Sequence, residues 1–149
     1  MSRLGETQRA YDKIRQLLDQ EIRQRRGAAK ELEQFRETLN VAFYLLGWAQ
    51  FEYLVRKGAE NLIDDKAKSQ TIDRHAWRYL KENVKNISVR NRLDLIFHDQ
   101  PAIRTGLYKD YERRNEAAHD NKLLPREAKD LSVWLENLEE LVEKFQSSE

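Results

Sequence analysis

The chain of 149 residues contains no cysteine. That excludes a disulfide framework and any metal site built on thiolates. Glycine and proline are scarce, at five and two residues, so few positions break a helix or force a turn. Few, long elements follow, rather than many short strands. Apolar runs are short as well. The longest, Val41 to Ala49, is far below the ~20 residues that a membrane span needs. Met1 to Ala10 is polar and offers no apolar segment of the kind a signal peptide carries. Together these absences lead to the expectation of a cytoplasmic protein with no membrane association.

What is abundant is charge. Charged residues make up 36% of the chain and hydrophobic ones 40%, a mixture suited to long helices with one solvated face. Lysine and arginine number 27 against 26 acidic residues, so bulk charge gives no attraction to nucleic acid. The distribution is uneven. Residues 1–30 carry eight basic side chains against four acidic ones, and the tail from Arg126 is acidic. Two solvated helix faces account for both.

Apolar residues recur at helical spacing almost throughout. Tyr11, Ile14, Leu18 and Ile22, with Leu17 beside them, form one stripe, closed by Gly27. A second helix is expected from about Ala28 to Asp64, with Leu32, Phe35, Leu39, Ala42, Leu46 and Ala49 as its inner face. Between Val41 and Leu54 it is apolar nearly all round, which places other helices around it. Gly47 and Gly58 cost helix propensity there and suggest close packing against a neighbour. Asp64 to Gln70 reads as a polar connection, and Thr71 as the cap of a helix with Ile72, Ala76, Trp77, Leu80 and Val84 on its stripe. Ser88 reads as a second N-cap, before Val89, Leu93, Ile96 and Phe97. Pro101 suits the first turn of a helix reaching about His119. Asp120 to Leu124 is a turn, Pro125 opens the last helix, and Leu131, Leu135, Leu138, Val142 and Phe145 mark its inner face, widened by Trp134 and Leu141. The expected architecture is all-α: one domain over 1–149, an up-and-down bundle of about five to six helices around a long central second helix.

The helix from Pro101 to His119 carries the chemistry. Its apolar stripe is Ile103, Leu107, Tyr111 and Ala118, and at 100° per residue Arg114 falls inside that stripe. A guanidinium there is costly to bury unpaired, and arginine cannot shed its proton. Either the stripe opens into a cleft or a carboxylate waits opposite. Asn115 and His119 lie one turn apart on the flank, with Tyr108 close to that row, and an amide at that spacing can orient an imidazole. Ala117 and Ala118 let another surface approach. On an earlier helix, Glu52 and Arg56 form an i,i+4 couple in the favourable order. Glu52 is a candidate for the carboxylate facing Arg114. His75 and His98 sit apart, and no metal-ligand spacing or Gly-rich phosphate loop is present, so neither a metal nor a nucleotide cofactor is expected. Trp48, Trp77 and Trp134 fall on helical stripes and are expected in the core.

The run Arg114-Asn115-Glu116-Ala117-Ala118-His119 resembles the Arg-x4–6-His signature of the HEPN superfamily, including the polar residue after the arginine. Phe51-Glu52-Tyr53-Leu54-Val55-Arg56 resembles the Glu-x3-Lys/Arg motif of an earlier helix in several HEPN groups. The helical order around both motifs fits most of the chain. The resemblance implies a metal-independent endoribonuclease acting as a homodimer, with two copies of the motif at one cleft. Arg114, His119 and Asn115 would then be catalytic, Glu52, Arg56 and Tyr108 supporting, and Lys109, Arg113, Lys122 and Arg126 candidates for holding RNA. It also implies a toxin or defence role, with an inhibitory protein as a counterpart. The alternative is a non-catalytic HEPN-like module that binds RNA or protein. A third and weaker reading is a purely structural adaptor with Arg114 locked in a core ion pair.

Overall fold

The structure is a computed structural model that describes residues 2–24, 29–120, 122–124 and 130–147. Among them the chain is all-helical. α1 spans Arg3–Gln24, α2 Ala29–Lys68, α3 Arg74–Glu82, α4 Val89–Ile96, α5 Pro101–His119 and α6 Leu131–Ser147, with one 3-10 turn at Val84–Asn86. The 40-residue α2 is the axis of the bundle, and every other helix packs on it.

The core face of α2 is not the expected one. Tyr44, Gly47, Trp48, Phe51, Val55, Ala59 and Ile63 are buried, whereas Phe35, Ala42, Leu46 and Ala49 are exposed. A segment that is apolar nearly all round has several equivalent stripes, and spacing alone does not say which one the neighbours cover. The two glycines show where they come. A Cβ on Gly47 would collide with the Leu135 side chain of α6. One on Gly58 would lie 3.1 Å from Phe145 and 3.4 Å from Ile96. Both glycines admit α6, as their position suggested. The α6 stripe itself is consumed inside the bundle: Leu131, Leu135, Leu138 and Val142 are buried. Trp48 is fully buried and Trp77 and Trp134 are half-buried.

Several boundaries move. α2 runs through the expected connection to Lys68, because Asp64 pairs with Lys68 one turn on (2.8 Å) and with Lys81 of α3 (2.6 Å). The two ammonium groups hold the Asp64 carboxyl down to about 2. Thr71 and Ile72 lie in the turn before α3, with Asp73 rather than Thr71 at the N-cap, and Ile72 is fully exposed. Ser88 caps α4 as its position suggested, accepting from the Asn91 amide at 3.2 Å. Pro101 opens α5 in its first turn, and α5 ends at His119. Asp130 precedes α6 and accepts from the Val133 amide at 3.3 Å. Gly27, Pro125 and Arg126 lie outside the described residues.

Candidate active site at the end of α5

α5 is fixed to the bundle at its middle. Tyr44 of α2 donates to the Asp110 carbonyl at 2.6 Å and stacks on Trp134 of α6 with centroids 4.3 Å apart. The Trp134 indole N–H donates to the Asp110 carboxylate at 3.1 Å. One residue on, the Tyr111 ring lies 6.0 Å from Trp48. Leu107 and Ala117 are the buried residues of α5. Ala118, expected on the inner stripe, is exposed. In the last turn it is Ala117, one residue before, that faces the bundle.

Burial pushes the Asp110 carboxyl up from 3.8, against the Trp134 hydrogen bond and the Arg113 charge that pull it down. A folded-state value above the unfolded one means that the contribution of this carboxyl to stability is fully present below pH 3.8 and is lost as pH rises through the folded value. Asp110→Asn keeps an acceptor for Trp134 and removes the disfavoured charge. It is expected to raise Tm at pH 7. The gain should shrink on acidification and vanish below about pH 3.5, where both side chains are neutral. Thermal melts of the two proteins across pH check this.

Arg114 lies two turns beyond Leu107 on nearly the same face, and it is half-buried. Its Nη1 donates to Asn115 Oδ1 at 3.0 Å. Among the described residues it has no carboxylate partner. Glu52 does not serve as one: its Oε2 accepts from the Trp48 indole at 3.0 Å. Nor does Glu52 pair with Arg56, which is exposed and sits over the Tyr53 ring at 5.3 Å. The guanidinium therefore keeps donors open, positioned by a neutral amide rather than neutralised by an acid. Asn115 orients the arginine, and no hydrogen bond joins it to His119. His119 is exposed in the final turn, where a helix C-terminus favours a cation.

The other candidates scatter. Tyr108 lies three turns before His119, donates to Asp94 of α4, and carries the Arg90 guanidinium 4.4 Å over its ring. Arg104 also reaches Asp94, at 3.5 Å. Arg90, Asp94 and Arg104 were not legible as a group, because only the packing of α4 on α5 brings them together. Arg113 turns to Asp110 at 3.6 Å, on another flank of the helix. Lys109 and Lys122 are exposed, and the Lys122 amide closes the helix end on the Glu116 carbonyl at 3.4 Å. Arg104, Tyr108, Tyr111, Asn115 and His119 follow one another at spacings of three and four residues, so they line one flank of α5 over about 22 Å.

Larger grooves lie elsewhere, one of about 650 Å³ beneath α3 and one of about 900 Å³ between α1 and α2. Neither is lined by Arg114 or His119. A helix end facing solvent supplies one wall of a cleft and not two. Among the described residues no three His, Asp or Glu side chains gather as a metal site, and no helix is long and apolar enough to cross a membrane. Comparison with protein-family models, with curated proteins and with solved structures returns no match.

Proposed function

We propose that this chain is a metal-independent endoribonuclease of HEPN type, assembled as a homodimer around two copies of the α5 end. The observation that carries the reading is the Arg114 guanidinium: half-buried, without a carboxylate partner among the described residues, and held by Asn115 one turn before His119. An arginine presented in this way suits a phosphate, which it can grip through two parallel hydrogen bonds while negative charge grows on the oxygens.

In this reading His119 takes the proton from a ribose 2′-OH. The freed oxygen attacks phosphorus, the P–O5′ bond breaks, and His119 of the second copy returns a proton to the leaving 5′ oxygen. The products are a 2′,3′-cyclic phosphate and a 5′-OH. Atoms and protons balance without a metal or cofactor. A requirement for the 2′-OH separates RNA from DNA. Lys109 and Lys122 would contribute to RNA binding, a toxin or defence role fits the same chemistry, and an inhibitory protein would act by covering the α5 end.

Incubation of the purified protein with single-stranded RNA in EDTA is expected to give discrete cleavage. A folded protein that leaves RNA intact at molar excess overturns the reading. RNA binding without cleavage would move the chain to the binding-module alternative.

A further inference from the structure

The exposed side of α2 carries an unused heptad seam. Phe35, Leu39, Ala42, Leu46, Ala49 and Tyr53 follow one another at alternating spacings of four and three, the repeat of a coiled-coil interface. None of them is buried. Phe35, Leu46 and Tyr53 are 53%, 45% and 51% exposed, and on the neighbouring α1 Ile14 and Leu17 are 41% and 50% exposed. Scattered apolar side chains on a surface are ordinary, but a continuous apolar face over two helices is not. The groove of about 900 Å³ lined by Arg3, Leu46, Ala49 and Tyr53 runs along this junction. Leu17 lies two heptads after Arg3 and so shares its flank of α1.

We infer that this face is where a second copy of the chain docks, with the two α2 helices antiparallel about a two-fold axis near the level of Tyr44. The seam is complementary to itself only in that orientation. Ala42 of one copy then stands opposite Leu46 of the other, Ala49 opposite Leu39, and Phe35 opposite Tyr53, so that nearly every layer pairs large with small or ring with ring. A parallel pairing would set Leu39 and Leu46 on themselves and leave Ala42 and Ala49 as gaps. From Phe35 to Tyr53 the helix rises about 27 Å. Two helices wide, the face covers roughly 500–600 Å² before side-chain relief is counted. That approaches the ~800 Å² each partner buries in a stable interface.

The seam is flanked by α1 on one side, through Thr7–Gln50 (2.8 Å) and Tyr11–Phe43 (5.4 Å). On its other side lies α5, through Trp48–Tyr111. An antiparallel two-fold keeps like flanks together. Asp110 is level with Tyr44, and His119 lies nine residues further along α5, so the two-fold sets the two α5 ends about 13 Å to either side of its axis. The docking face does not rest on the ribonuclease reading, whose shared cleft would need a contact between α5 ends beside this one.

The absence of cysteine makes the test clean. Sedimentation or light scattering is expected to give twice the 17.8 kDa chain mass, and Leu46→Glu or Ala49→Glu to give folded monomers by circular dichroism. Mixed Ala42→Cys and Leu46→Cys proteins should cross-link to each other under oxidant more than either does alone. A monomeric wild type, a dimer that survives both glutamates, or cross-linking of Ala42→Cys only with itself overturns the inference. A dimer that survives both glutamates and still cuts RNA sinks this inference alone, whereas a monomer that cuts RNA also removes the second copy from the proposed reaction. A seam-linked dimer that leaves RNA intact upholds it and sinks the nuclease reading.

Discussion

His119→Ala is expected to lower RNA cleavage by about 10²- to 10⁴-fold, the range a positioned general acid or base contributes. The fold should not notice. His119 is exposed in the last turn of α5 and makes no hydrogen bond among the described residues, so the change in stability should stay within about 0.5 kcal/mol. Cleavage rates measured at saturating RNA, with thermal melts alongside, separate the two effects. Arg114→Ala is expected to cost about 10²- to 10³-fold through lost stabilisation of the developing phosphate charge. Arg114→Lys should recover little of it, since a point charge cannot reproduce the planar fork. Asn115→Ala should cost less than either, because it frees a guanidinium rather than removing one. Retention of more than a tenth of the wild-type rate by His119→Ala would remove it from the chemistry.

The second large effect lies in the core. Trp48→Ala is expected to lower the unfolding free energy by about 3–5 kcal/mol and Tm by roughly 10–15 °C. Trp48 is fully buried, with Phe51 at 5.5 Å and Tyr111 at 6.0 Å. Truncation leaves a cavity between α2 and α5 that the 40-residue α2 cannot bend to fill. It also strips Glu52 of the indole N–H it accepts. Urea titration followed by fluorescence checks the figure. A loss below about 1 kcal/mol would mean that α5 is not held by this contact. Tyr44→Phe offers a graded control: it keeps the ring on Trp134 and removes one hydrogen bond to Asp110, for about 1 kcal/mol.

The helical class and the ends of α4 and α5 were legible because local chemistry specifies them: a serine cap at Ser88, a proline at the first turn of α5, and stripes with a polar back. The inner face of α2 was not. Leu39, Ala42, Leu46 and Ala49 form as good a stripe as Tyr44, Trp48, Phe51 and Val55, and the choice between them is made by Leu135 and Phe145 approaching the glycines from α6. The stripe first read as core is the one left open. At the site, the neighbours Arg114 and Asn115 could be read from adjacency, whereas Glu52 could not be placed. Its partner is the indole four residues before it, a local bond that competes with any long-range ion pair. Tyr108 lies on the flank that spacing assigned to it, yet its partners Arg90 and Asp94 come from α4, and no local pattern announces them.

The most direct test of the Arg114–His119 site is the chemistry of the ends it leaves. A short single-stranded RNA treated in EDTA, with mass analysis of the fragments, is expected to yield 2′,3′-cyclic phosphates and 5′-hydroxyls. A single 2′-deoxy substitution at the cut position should abolish that cut and spare the others. Fragments ending in 3′-hydroxyl, or cleavage undiminished at the deoxy position, would contradict attack by the ribose hydroxyl and with it the role given to the end of α5.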